Sequence, residues 1–71
     1  MMTLTQAVLE AQRLQAEIGV PLADIECSSV SDGAVLCYIK FEHEWEVIAF
    51  RVSGPFDRDA CEQCIHRGMR L

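Results

Sequence analysis

The residues best suited to bind a metal lie near the C terminus, where two cysteines and a histidine fall within six positions. Cys61, Cys64 and His66 combine two soft sulfur donors with an imidazole, and these are ligand types that zinc prefers. The segment is predicted to be helical, so residues 61 and 64 share one face of the helix while His66 points elsewhere. We therefore interpret both cysteines as small apolar side chains of the core, and a zinc site is the alternative.

The same two cysteines have the CxxC spacing of thiol oxidoreductases. A catalytic pair places its first cysteine at a helix N terminus, where the helix dipole stabilises the thiolate. Cys61 lies about one turn inside the predicted helix, and the charge of Glu62 opposes a thiolate, so the spacing does not predict redox catalysis. The sequence also lacks a nucleophile–base set, a phosphate-binding glycine loop and the paired carboxylates of a hydrolase. We expect a protein that is not an enzyme and that uses no cofactor.

Carboxylates are the other chemically distinctive group, and they occur in clusters. The chain has 6 lysines and arginines against 11 aspartates and glutamates, which gives a net charge of −5. An acidic surface opposes direct binding to nucleic acid or to anionic lipid, and it favours a protein partner with a basic surface. The predicted partner-binding residues are Glu42, Glu44, Trp45, Glu46, Asp57, Asp59 and Glu62. The plainer interpretation is a solvated surface that keeps a small protein soluble.

Two amphipathic helices are predicted, one at each end of the chain. Apolar residues recur at three- and four-residue steps over residues 4–18, with Thr3 as the N-cap and Gly19 as the terminating residue. Asp57 is a good N-cap for the second helix, which we expect to run to about residue 69. Between the helices, the apolar period changes from 3.6 to 2, which indicates strands.

Three strands are predicted between the two helices. They cover residues 24–29, 34–41 and 45–52, and the Asp32-Gly33 pair marks the first turn. The prediction is a single α+β domain over residues 1–71, in the order α-β-β-β-α, with a three-stranded antiparallel sheet packed against two helices.

The apolar pattern also predicts which side chains share a face of the sheet. Pairing Cys27 with Cys37 gathers the apolar residues on one face, whereas a slip of one residue separates the two cysteines. That face is the expected core wall, and it comprises Ile25, Cys27, Val35, Cys37, Ile39, Phe41, Ile48, Phe50 and Val52. The opposite face carries a second apolar set, namely Leu36, Tyr38, Trp45 and Val47. Such a face is too apolar to be inert, so it is an interface between two copies, a site for another partner, or a surface covered by one of the helices.

Targeting signals are the next feature of the sequence. The N terminus lacks the basic region and the long apolar segment of a secretory signal. The longest apolar run, Ala34 to Ile39, has six residues and is far too short to cross a bilayer. We expect a cytoplasmic protein with reduced thiols, no membrane contact, and a monomeric or homodimeric state.

In size, acidity and compact α+β build, the chain resembles the small inhibitors of phages and mobile elements, the anti-CRISPR and anti-restriction proteins. The residues that carry this resemblance are the acids Glu42, Glu44, Glu46, Asp57, Asp59 and Glu62. The resemblance is one of overall character without an aligned segment, so it assigns no role to any residue. It implies a stoichiometric inhibitor that occupies a nucleic-acid-binding surface and imitates the nucleic acid.

Three functions therefore remain open at this point. The first is a non-enzymatic acidic protein that inhibits a nucleic-acid-binding partner. The second is a small homodimeric regulatory or structural module that uses the aromatic face of the sheet. The third is a small zinc-binding protein that uses Cys61, Cys64 and His66.

Overall fold

The fold is an α+β arrangement, as predicted. The computed structural model describes residues 2–19 and 21–69, and within these residues the chain forms four strands and two helices. In chain order they are β1 (Met2–Thr3), α1 (Leu4–Ile18), β2 (Leu22–Ser31), β3 (Ala34–Phe41), β4 (Glu44–Arg51) and α2 (Arg58–Met69).

Both helices begin at the capping residues that the sequence indicates. The Thr3 hydroxyl accepts a hydrogen bond from the Gln6 amide at 3.2 Å, and the Gln6 side chain accepts one from the Thr3 amide at 2.8 Å. This reciprocal capping box satisfies two amides at the start of α1. At the other end of α1, Gly19 has a φ of 76°, the left-handed conformation that glycine adopts without strain. Asp57 caps α2 by accepting a hydrogen bond from the Ala60 amide at 3.1 Å.

The sheet has the strand order β1-β4-β3-β2, so the prediction of three antiparallel strands is wrong. Strands β2, β3 and β4 form the expected antiparallel meander. Strand β1 adds two residues parallel to β4, with Met2 beside Phe50 and Thr3 beside Arg51. Two residues carry no readable alternation, and Thr3 is at the same time the N-cap of α1, which is why the sequence does not indicate this strand.

The register of the meander confirms the predicted core wall. Cys27 lies opposite Cys37, and Cys37 lies opposite Ile48, so the inward-facing apolar residues of the three strands form one surface. Both helices pack on this surface: Ala7 and Ala11 of α1 and three residues of α2 join the same buried cluster. Those three residues are Cys61, Ile65 and Met69. The interpretation that a helix covers the second apolar face is therefore wrong.

Helices α1 and α2 also contact each other closely. The Gln12 side chain donates a hydrogen bond to the Gly68 carbonyl across 2.5 Å. A Cβ atom added at Gly68 would overlap Cγ1 of Val8, so this glycine allows the two helices to approach. The contact holds both helices on one side of the sheet, and no element formed by residues 2–19 and 21–69 covers the other side.

Candidate protein-binding surface

The sheet face that the helices leave open carries three neighbouring cross-strand pairs on β3 and β4. These pairs are Leu36–Ala49, Tyr38–Val47 and Lys40–Trp45, and we call the six residues the open-face strip. Trp45 and Val47 are 50% and 53% exposed, which is unusual for large apolar side chains. Leu36 and Tyr38 are partly buried. The strip is therefore a contiguous apolar surface in contact with solvent, and such surfaces mark interaction sites.

Charges on the open face balance one another. The Lys40 ammonium lies 5.6 Å from the centre of the Trp45 ring, within the range of a cation–π interaction. On the neighbouring strand β2, Asp24 lies opposite Lys40 and Glu26 lies opposite Tyr38, so both carboxylates share this face of the sheet. Arg51 lies at the far end of β4. The face thus carries two cations and two carboxylates, and the excess negative charge of the protein lies elsewhere.

The turn between β3 and β4, which we call the tip, carries carboxylates without cationic partners. Glu42 and Glu44 are exposed, and Glu46 is partly buried. Glu44 and Glu46 lie opposite Phe41 and Ile39, on the helix side of the sheet. Within residues 2–19 and 21–69, none of the three takes part in an ion pair. Glu42 also has a φ of 56°, a conformation in which glycine or asparagine is less strained. The tip is therefore a local concentration of uncompensated negative charge at the end of the sheet where Trp45 lies on the open face.

Of the other predicted acids, Asp57 and Asp59 lie towards the opposite end of the sheet, and Glu62 lies beside Cys27 in the middle of β2. Seven residue steps separate Glu44 from Arg51, a length of about 23 Å, and α2 begins beyond Arg51. There Asp57 caps the helix and Asp59 is exposed in its first turn. Of the seven predicted partner-binding residues, the structure brings together Glu42, Glu44, Trp45 and Glu46 and separates them from Asp57, Asp59 and Glu62.

Glu62 and Arg58 have a structural role that sequence reasoning missed. The Glu62 carboxylate accepts a hydrogen bond from the Cys27 amide at 2.8 Å, and Arg58 Nε donates one to the Cys27 carbonyl at 3.0 Å. Further along the same edge strand, the Asp24 carboxylate accepts a hydrogen bond from the Ile25 amide at 2.8 Å. These side chains occupy backbone groups at the outer edge of β2 that an added strand would need. No local sequence signal predicts a bond between residues 35 positions apart.

The metal-ligand candidates are distributed over different environments. Cys61 is 5% exposed in the core, whereas Cys64 and His66 are only partly buried. His66 lines a depression of about 350 Å³ between β2 and α2. Among the residues that the structure describes, no three histidine, cysteine or acidic side chains are grouped so that they could hold a metal ion. The packing of Cys61 is the one expected for a core cysteine.

The buried thiols are strongly biased towards the protonated form. Cys27 and Cys37 are fully buried neighbours in the sheet. A hydrogen bond with Cys37 and then burial raise the pKa of Cys27 far above its usual range. Burial also raises the pKa of the Cys61 thiol. Thiolate chemistry needs the opposite shift, so these two cysteines are suited to packing rather than to nucleophilic attack.

No protein-family model, no curated protein and no solved structure matches the chain. The resemblance to phage inhibitors therefore stays a prediction. In the described ranges, no helix is long and apolar enough to cross a membrane.

Proposed function

We propose that the protein is a non-enzymatic binding protein that occupies the nucleic-acid-binding surface of a protein partner and thereby inhibits it. One observation carries the proposal: the half-exposed Trp45 lies at the same end of β4 as the tip carboxylates, and these carboxylates have no cationic partner within the described residues. A surface that binds phosphates presents lysine and arginine side chains, which complement these carboxylates.

The apolar and the charged parts of this surface contribute differently to binding. Covering the exposed half of Trp45 removes about 100 Å² from water and contributes about 2.5 kcal/mol. The carboxylates of Glu42 and Glu44 remain at the rim, where charges chiefly raise the association rate and select the partner. Rim charges are screened by salt, so the binding rate is expected to fall as ionic strength rises.

Self-association through the open face is the second candidate function. The balanced charges of Lys40, Arg51, Asp24 and Glu26 permit two such faces to stack, whereas the net charge of −5 on each copy opposes association. Sedimentation velocity at micromolar concentration separates the two candidates. A protein that is monomeric at all concentrations favours the inhibition of a partner. A dimer that dissociates when Val47 is replaced by lysine favours self-association through the open face.

The inhibitor proposal is tested by a displacement titration. The immobilised protein captures its partner at low salt from cells that carry its gene, and the purified partner is then loaded with labelled nucleic acid. We expect the protein to release the nucleic acid at a one-to-one ratio, with less release at higher salt. Because release is measured, capture alone does not count as support.

Charge reversal at two places supplies the matched control. The tip variant Glu42→Lys/Glu44→Lys and the control variant Asp32→Lys/Asp59→Lys raise the net charge equally, but they do so at opposite ends of the sheet. We expect the tip variant to inhibit about tenfold less well, and the control variant to inhibit almost as well as the wild type. Equal effects of the two variants, or inhibition that is insensitive to salt, would contradict the proposal.

A further inference from the structure

The outer edge of β4 carries backbone groups that no strand pairs in the part of the chain that the structure describes. Along an antiparallel strand, alternate residues direct their amide and carbonyl to the same neighbour. The Val52 amide, directly after β4, donates a hydrogen bond to the Gly33 carbonyl at 2.9 Å, so the even-numbered residues of β4 bond to β3. Trp45 and Val47 therefore direct their amides and carbonyls away from β3, and β1 reaches only the last two residues of β4. We call residues 44–48 the β4 edge.

An unpaired edge is a template for a further strand, and the two sides of the sheet differ in this respect. On β2, the side chains of Glu62 and Arg58 occupy the amide and the carbonyl of Cys27. On the β4 edge, no side chain among the described residues bonds to the backbone of Trp45 or Val47. An extended segment can therefore be added at the β4 edge, where its backbone gains hydrogen bonds.

The side chains of the β4 edge indicate the composition of such a segment. Trp45 and Val47 lie on the open face and are about half exposed. Glu44 and Glu46 lie on the helix side, and neither forms an ion pair within the described residues. Successive side chains of an added strand lie beside these two sets in turn. Apolar side chains complement the first set and basic side chains complement the second, because opposite charges on neighbouring strands stabilise their pairing.

A second copy of the chain does not meet these requirements. Two copies would pair antiparallel about a twofold axis, which places one residue opposite itself. With Glu46 on the axis, two glutamates face each other, and with Trp45 on the axis, Glu44 faces Glu46 of the other copy. With Val47 on the axis, Glu44 reaches Phe50, which β1 already covers. Like charges directly opposite each other destabilise a strand pair, so the β4 edge favours a basic segment of another protein.

From these features, and resting on the proposed function, we infer that the β4 edge binds an extended segment of the partner by strand addition. The segment bonds to the backbone of Trp45 and Val47, and its side chains alternate between apolar and basic. Its lysine or arginine side chains pair with Glu44 and Glu46 on the helix side of the sheet. A basic segment that is held in this way is not available to bind phosphates.

Two synthetic peptides of about eight residues, the length of an ordinary strand, test the inference without the partner. One has valine and lysine in strict alternation, and the other has valine and glutamate. The chain has one tryptophan and the peptides have none, so the fluorescence of Trp45 reports on the β4 edge directly. We expect a saturable blue shift with the valine–lysine peptide only, and weaker binding at higher salt.

Methylation of backbone nitrogens separates strand addition from contact through side chains alone. One version of the valine–lysine peptide is methylated at its valine nitrogens, and the matched control is methylated at its lysine nitrogens. In an extended peptide, the amides of alternate residues point to the same side, so one pattern removes the donors that face β4 and the other removes those that face away. We expect one version to bind at least about tenfold less tightly and the other to bind like the unmethylated peptide.

Amide substitutions test the role of the two carboxylates. Glu44→Gln/Glu46→Gln removes two charges from the β4 edge, and Asp32→Asn/Asp59→Asn removes two exposed charges elsewhere. We expect the first variant to bind the valine–lysine peptide about three- to tenfold less tightly, and the second to bind it as the wild type does. Circular dichroism confirms that each variant is folded.

Several results would overturn the inference. Equal affinity of the two methylated peptides, whether retained or lost, would contradict strand addition, and equal binding of the valine–glutamate peptide would contradict the basic composition. A wild-type dimer that Val47→Pro converts to a monomer would show a second copy at the β4 edge, because proline removes an outward amide that an edge strand does not need. If the peptide binds but the displacement titration fails, the edge site stands and the proposed inhibition is wrong. If displacement succeeds and no peptide binds, strand addition alone is wrong.

Discussion

The close contact between the helices leads to a prediction about Gly68→Ala. The sign of its effect on the free energy of unfolding depends on Val8. Replacing the helical Gly68 by alanine favours the helix by up to about 1 kcal/mol, and by less near the end of α2. The added Cβ overlaps Cγ1 of Val8, and overpacking of this kind costs about 1–3 kcal/mol. Val8 is β-branched and lies in a helix, so its methyl group has little freedom to turn away. We therefore expect Gly68→Ala to lower the free energy of unfolding by about 1–2 kcal/mol.

Val8→Ala removes the obstructing methyl group, so the destabilisation expected from Gly68→Ala disappears. In that background, Gly68→Ala should leave stability unchanged or raise it by up to about 1 kcal/mol. Urea unfolding followed by circular dichroism of all four proteins gives the coupling free energy as a double-mutant cycle. If Gly68→Ala has the same effect in both backgrounds, α1 and α2 do not approach each other at these residues. The contact between α1 and α2 would then not account for the exposure of the open face.

Two further predictions concern the edge of β2 and the buried thiols. Glu62→Ala leaves the Cys27 amide without its acceptor and should cost about 1 kcal/mol in a urea titration, whereas Glu62→Gln keeps an acceptor and should cost less. Equal costs would show that the hydrogen bond has no net effect. Raised pKa values in the folded state mean that Cys27 and Cys61 stabilise the fold fully below the unfolded thiol pKa, near 8.5. This stability is lost as pH rises, by up to about 1.4 kcal/mol per pH unit for each thiol, and stability that is constant from pH 8 to 10 would contradict it.

The core wall and its register could be predicted because burial constrains every second residue of a strand. The Asp32-Gly33 turn leaves two adjacent registers, and of these only the pairing of Cys27 with Cys37 places Ile25 on the same side of the sheet as Ile39 and Phe41. The caps at Thr3, Gly19 and Asp57 could be predicted for a similar reason, since each depends on residues within a few positions.

The features that sequence reasoning missed depend on residues far apart in the chain. Strand β1 is held by Phe50 and Arg51 of β4, and the Glu62–Cys27 bond joins α2 to the edge of the sheet. The division of the acidic residues between two ends of the sheet has the same origin. Glu44 and Asp57 are 13 positions apart in the sequence, but β4 lies between them and separates them along its whole length.

The central claim is that the partner covers Trp45 at the tip end of the open face. Because the chain has one tryptophan, biosynthetic labelling with 5-fluorotryptophan gives a single fluorine resonance. Its shift between light and heavy water measures how exposed the half-buried ring is to solvent. We predict that this solvent isotope shift is lost when the captured partner binds and returns when high salt dissociates the complex. The claim would be contradicted if the isotope shift were unchanged under conditions in which the protein still displaces nucleic acid from the partner.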